Sequence, residues 1–186
     1  MIDTKLILSQ YINKNNNLNK EYMIIVNILN QELILYKNYK ELIKYMISTS
    51  IYGEGSEEGS NKTPIGAHYI KECIGNNTDP LTIFQNRRPT GDKTKIISEK
   101  ISSNKDIISS RILWLDGLEE GKNKGSNLDS YSRYIYIHGT NEEGMLGEKS
   151  SHGCIRMSNS DIIDLCDKNI CSSLVYISNE VKTNER

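Results

Sequence analysis

Two of the chain's three histidines and one of its four cysteines fall close together. The run Ile137-His138-Gly139-Thr140 is followed by Ser151-His152-Gly153-Cys154-Ile155-Arg156-Met157. A free thiol is mostly protonated at neutral pH, so a nucleophilic cysteine needs an imidazole partner or another environment that activates it. His138, at the end of a strand candidate, is the base candidate for Cys154. A third group must hold such an imidazole by its other N–H. No side chain nearby in sequence presents itself, and a backbone carbonyl can do it. The amides of Gly153 and Cys154 are candidate donors to a substrate carbonyl, and glycine permits the backbone that such a hole often needs. Arg156 offers a planar fork suited to a carboxylate. Two other readings stay open. His138, His152 and Cys154 are a candidate zinc set, although no fourth ligand or CxxC pair accompanies them. The same residues also fit a tight glycine turn with a buried thiol and hydrogen-bonded histidines.

These groups need a scaffold, and the apolar pattern supplies mostly strands. Residues 22–27 and 32–36 are Ile/Leu/Val-rich runs separated by turn residues, the pattern of a hairpin. Residues 44–52, 67–74, 111–115, 131–138 and 174–178 are further strand candidates. In 131–138, Ile135 and Ile137 alternate with Tyr134, Tyr136 and His138, which places the last three on one face. Tyr134 and Tyr136 are therefore candidates for the wall of a site around His138. Ser158 or Ser160 can cap a helix through 161–168, with Ile162, Leu165 and Cys166 on one side. Residues 75–110 have poor periodicity and several turn dipeptides, which reads as a long loop of the lid or substrate-wall type. Arg87 and Arg88 in that loop are candidates to approach an anionic peptide. The sum is a mainly β sandwich or barrel, with one helix after Cys154 and a long loop insertion.

Composition narrows the partners. The chain has 186 residues, 37% hydrophobic, with 23 basic against 24 acidic residues and a net charge of −1. That size suits one domain, divided here into an N-terminal extension (1–20, a lone helical turn leading into a linker), a main domain (21–178) and a polar tail (179–186). The balanced charge lacks the basic footprint of nucleic-acid binders. No apolar run approaches the roughly 18 residues of a membrane span. The N-terminus has no basic region followed by an apolar core, so no signal peptide is read and a cytoplasmic location is expected. Cys73, Cys154, Cys166 and Cys171 are irregularly spaced and are expected to be free thiols, Cys73, Cys166 and Cys171 as core residues. His68 is expected to be structural.

The His-Gly-Thr segment followed by Ser-His-Gly-Cys-Ile-Arg-Met resembles the active-site signature of L,D-transpeptidases with a YkuD-type catalytic domain. Residues 22–36 are similar to that family's opening strand pair, and Thr63-Pro64-Ile65-Gly66 to its Thr-Pro-x-Gly turn. The resemblance implies a β-sandwich and acyl transfer on peptidoglycan stem peptides, with no cofactor and no metal. It makes Cys154 the nucleophile, His138 the base and the Gly139 carbonyl its orienter. Ser151, His152 and Gly153 become the substrate and oxyanion loop, and Arg156 a residue that helps hold the donor stem. Tyr134, Tyr136 and Arg88 are added as candidate substrate walls. A covalent carbapenem adduct on Cys154 is a further implication. With no signal read, the expected reaction is L,D-carboxypeptidase trimming of tetrapeptide muropeptides to tripeptides. The alternatives are 3–3 cross-linking or protein attachment by transpeptidation, and a non-catalytic peptidoglycan-binding module.

Overall fold

The structure is a computed structural model that describes residues 4–15, 17–103 and 105–180. Residues 1–3 of the expected extension and 181–186 of the expected tail lie outside the described residues. Ten strands form one mainly β sheet: β1 (Asn19–Asn27), β2 (Glu32–Lys37), β3 (Lys40–Ser48), β4 (Gly66–Ile74), β5 (Thr82–Gln85), β6 (Arg88–Lys93), β7 (Ile108–Gly117), β8 (Tyr136–Thr140), β9 (Ile155–Met157) and β10 (Ser173–Ser178). Their order is β4-β10-β1-β2-β3-β9-β8-β7-β5-β6, and an additional β4–β7 pairing closes the sheet on itself. Closure removes edges that would otherwise expose unpaired backbone. The β1–β10 and β8–β9 pairs are parallel.

The core lies inside this closed sheet. Tyr22, Ile24 and Val26 of β1, Leu33 and Leu35 of β2, Ile137 of β8, Ile155 and Met157 of β9, and Ile162 and Leu165 of the helix α2 (Asn159–Cys166) share one apolar cluster. The alternate β1 residues, Met23 and Ile25, face outward, where the helix α1 (Thr4–Ile12) covers them with Leu8 and Tyr11. This is why residues 22–27 read as continuously apolar: both faces of β1 are covered. The N-terminal segment is thus a docked helix rather than a lone turn leading into a linker. Its Tyr11 hydroxyl also donates to Glu119 at 3.0 Å.

Three elements differ from the sequence reading. Residues 82–93 form the β5–β6 hairpin rather than a plain loop. Its turn puts Asn86 and Arg87 at φ 50° and 65°, the two left-handed residues of a type I′ turn, where glycine normally signals the hairpin. Residues 131–135 are turn, not strand, and β8 starts at Tyr136. The short β9 was invisible because three residues carry no period. Ser158 caps α2 by accepting from the Asp161 amide, as its type predicts.

Cys73 and Cys171 are joined by a disulfide that links β4 to the segment before β10. The expectation of four free thiols is therefore corrected; spacing along the chain carried no trace of two cysteines brought together by the β4–β10 pairing. Cys154 and Cys166 are free. A cross-link closing so long a segment should contribute about 2–4 kcal/mol. Urea unfolding with and without reductant tests this: the midpoint should fall on reduction in the native protein and stay put in the Cys73→Ser/Cys171→Ser variant.

Candidate active site

The site is built where the short parallel pair β8–β9 crosses the closed sheet. Ile137 pairs with Ile155 and His138 with Arg156. Paired residues point to the same side, so Ile137, Ile155 and Met157 fill the core while Tyr136, His138, Cys154 and Arg156 share the opposite face. The histidine and the cysteine are thus set on one face by the β8–β9 register.

His138 is buried at 1% exposure, and its Nδ1 lies 2.8 Å from the Gly139 carbonyl oxygen. A carbonyl can only accept, so Nδ1 carries the proton and Nε2 presents a bare lone pair. Burial lowers the His138 pKa from its ordinary 6.5, opposed by the nearby Asp106 carboxylate and the Gly139 carbonyl. The imidazole is therefore neutral at pH 7. Gly139 has no room for a side chain: a Cβ would sit 2.6 Å from the Ser109 carbonyl oxygen and 2.8 Å from Asn159 Oδ1. Asn159, at the start of α2, accepts from the hydroxyls of Ser109 and Ser110 at 2.7 Å each and donates to the Thr140 carbonyl at 2.7 Å. It ties β7, β8 and α2 together behind the histidine. A β-bulge in β7 between Ser109 and Ile112 lies opposite this point.

Cys154 is half-buried. Its Sγ accepts from the Tyr136 amide at 3.4 Å and donates to the Tyr134 carbonyl at 3.4 Å. The thiol's hydrogen bonds run to these backbone groups rather than to His138. Burial pushes its pKa up to about 12, partly offset by the Tyr136 amide. At rest the thiol and the imidazole are thus both neutral.

The loop before Cys154 is pinned on both sides. Gly153 takes φ +123°, a left-handed conformation that favours glycine. Its carbonyl accepts from Thr63 Oγ1 at 3.0 Å, and that oxygen also accepts from the Ser50 amide at 3.0 Å. The threonine of the Thr-Pro turn thereby fixes the cysteine loop. Ser151 is buried, donates to the Cys154 carbonyl at 2.5 Å and accepts from the Gly153 amide at 3.3 Å. Of the two expected oxyanion donors, the Gly153 amide is therefore engaged at rest. The Cys154 amide has no acceptor among the described residues.

Arg156 is placed differently from the sequence expectation. Its side chain is 2% exposed. Nη1 pairs with Glu142 at 2.8 Å and Nη2 with Asp106 at 2.8 Å. Both prongs of the fork are thus taken by the protein's own carboxylates. Glu142 is also held by the Ser103 amide and hydroxyl, at 2.5 and 2.7 Å. The exposed His152 lies with Nδ1 3.3 Å from Asp106, near Tyr52. Asp106 was not found from sequence, since a single acid in an aperiodic loop carries no signal. Its carboxyl sits below the usual range although burial opposes this, because His138, Arg156 and His152 surround it. Asp106 and Ser103 are thus both fastened to the Arg156–Glu142 pair.

The other side is aromatic. Trp114 stacks on Tyr131 at 4.0 Å, with Tyr134 and Tyr136 at 5.6 and 5.5 Å. Tyr136 is buried and Tyr134 exposed, and the backbone of each contacts the Cys154 thiol. Arg88 is an exposed β6 residue paired with Gln85, and its neighbour Arg87 reaches the aromatic cluster instead. Arg87 is the second residue of the I′ turn and Arg88 the first residue of β6, so the two side chains leave from different backbone conformations. His68 is structural: buried, it contacts the Gly66 carbonyl and Ser130 hydroxyl, and burial lowers its pKa to about 4. Cys166 packs half-buried against the core. His138, His152 and Cys154 do not form a metal site, and no group of three or more His, Cys, Asp or Glu is placed for one among the described residues.

The model of the L,D-transpeptidase catalytic domain of the YkuD family matches residues 21–177. The chain belongs to this family. Solved structures share its fold at low identity. Bdellovibrio bacteriovorus Bd1075 is 17% identical with a TM-score of 0.52, over 87% of this chain and 49% of its own. L,D-transpeptidase 3 from Mycobacterium tuberculosis, in complex with a faropenem-derived adduct, is 14% identical with a TM-score of 0.52, over 85% and 60%. A mutant L,D-transpeptidase from Enterococcus faecium is 16% identical with a TM-score of 0.51, over 87% and 50%. The chain thus spans about half to three-fifths of these proteins. No curated protein matches it.

The neutral resting pair has a measurable consequence. Alkylation of Cys154 by iodoacetamide should be slow at pH 7 and climb steadily as pH rises past 9, since only the thiolate reacts. Peptide mass spectrometry resolves Cys154 from Cys166. A rate already level below pH 7 would mean a preformed thiolate–imidazolium pair instead.

Proposed function

We propose that this domain cleaves peptidoglycan stem tetrapeptides by cysteine acyl transfer. Cys154 Sγ attacks the carbonyl at the L-centre of the diamino acid in position three, and its proton passes to His138 Nε2. The C–N bond to D-Ala breaks as the imidazolium returns the proton to the leaving amine. The resulting thioester is then attacked by water or by an amine. The observation that carries this reading is His138 locked by the Gly139 carbonyl with Nε2 bare, on the same face as Cys154, in a chain of the L,D-transpeptidase family. A non-catalytic binding module has no need of that arrangement.

For the second step we propose water, which makes the domain an L,D-carboxypeptidase. Water needs no subsite for a second stem peptide, so hydrolysis asks the least of the residues around Cys154 and His138. The disulfide favours the other acceptor. Such bonds persist in oxidising compartments, where assembled wall offers amines for 3–3 cross-linking. It also weighs against a cytoplasmic location, and we propose an oxidising compartment for the protein. Covalent capture of β-lactams of the carbapenem type by Cys154 belongs to the same reading.

Incubation with a purified disaccharide tetrapeptide, followed by mass spectrometry, separates the outcomes. We expect D-Ala and tripeptide from the wild type, and none from Cys154→Ala. Linked dimers without tripeptide would replace hydrolysis by cross-linking, and an absence of D-Ala would refute both.

A further inference from the structure

A stem peptide carries carboxylates, and the arginine expected to grip one is occupied: Arg156 is buried and paired with Glu142 and Asp106. The arginines that remain around the site can be compared. Arg133 donates to the carbonyls of Gly55 and Lys62, at 3.3 and 2.8 Å, and so holds the Thr-Pro loop against the site. Arg111 is buried on the carbonyls of Thr78 and Ser110. Arg87 differs from both. It is half-buried, with its guanidinium 4.7 Å from the Trp114 ring centroid and 5.0 Å from that of Tyr134. One nitrogen donates to the Tyr136 hydroxyl at 3.2 Å. Among the described residues no ion pair involves it; Glu72, whose charge acts on it weakly, accepts from the Tyr131 hydroxyl at 2.6 Å.

Building this arrangement takes an uncommon backbone. Arg87 occupies a left-handed position in the β5–β6 turn, where a side-chain-bearing residue carries strain. The turn projects the cation onto an aromatic surface that removes water from its faces and leaves its N–H edge open. A guanidinium stacked in this way binds a carboxylate through paired N–H bonds more strongly than a solvated lysine does. Its aromatic partners also hold the nucleophile, since Sγ bonds to the backbone of Tyr134 and Tyr136. A substrate whose carbonyl reaches Cys154 therefore meets the same two tyrosines whose side chains Arg87 contacts.

We infer that Arg87 is a specificity-determining residue that binds a carboxylate of the donor peptide against the Trp114–Tyr134–Tyr136 wall. Two carboxylates share this chemistry, the C-terminal one on the leaving residue and the one on the diamino acid side chain. The inference rests on the stem-peptide reading above, but its test does not depend on turnover. Binding is measured by calorimetry to the full chain carrying Cys154→Ala. The ligands are the tetrapeptide, its C-terminal amide and its side-chain amide. One amide should bind about 10- to 100-fold more weakly than the acid, the range for a hydrogen-bonded charged group, and this identifies the carboxylate. Adding Arg87→Gln should weaken the acid to the level of that amide and leave the amide unchanged, and Arg87→Lys should recover part of the loss. Equal affinities for all three ligands, no binding, or equal losses on acid and amides with Arg87→Gln would overturn the inference. D-Ala release by the wild type is scored separately. Release without an Arg87-dependent preference sinks this inference alone, whereas preference without release sinks the proposed reaction alone.

Discussion

The site depends on a backbone pairing of three residues. Strand β9 is only Ile155–Met157, yet it lies parallel to β8 and antiparallel to β3, and so fills a gap in an otherwise closed sheet. Its odd residues are core: Ile155 and Met157 pack with Ile137 and Ile47, all fully buried. Its even positions are thereby forced to the opposite face, beside Tyr136 and His138. A slip of one residue would send Cys154 into the core and Ile155 to the surface, at the cost of burying polar groups and exposing apolar ones. The hydrophobic core thus sets the catalytic register.

Around that pairing, most groups act to hold others still. Thr63 bonds the Gly153 carbonyl, Asn159 fills the space behind Gly139, and Glu142 and Asp106 neutralise Arg156. An arginine buried to this degree needs its carboxylates, because an unpaired buried charge is far more costly than a paired one. In the proposed reaction the chemistry falls to two groups with little charge at rest. Burial raises the thiol and lowers the imidazole, so neither is ionised before substrate arrives. A neutral thiol is also less readily oxidised than a thiolate.

The sequence made some of this legible for physical reasons. His138, Gly139 and Cys154 are short-range features, and glycines beside a His and a Cys announce unusual backbone. The β1–β2 hairpin and the cap at Ser158 follow from local rules. What stayed hidden was produced by long-range folding. Asp106 and Glu142 gain meaning only when the fold brings them to Arg156. Cys73 and Cys171 look unrelated until β4 and β10 align. Arg87 lies in a turn where an arginine is an unexpected residue, so the hairpin that displays it carried no glycine signal.

The central claim is that His138, oriented by the Gly139 carbonyl, activates Cys154 to form a thioester. Rapid mixing with stem tetrapeptide, acid quench and intact-protein mass spectrometry measures that step directly. The account predicts a burst of D-Ala equal to the acyl mass added at Cys154, slowed by about 10²–10⁴-fold in His138→Gln, the usual contribution of a positioned base. An adduct at Cys166, or a burst of unchanged rate without His138, would contradict it.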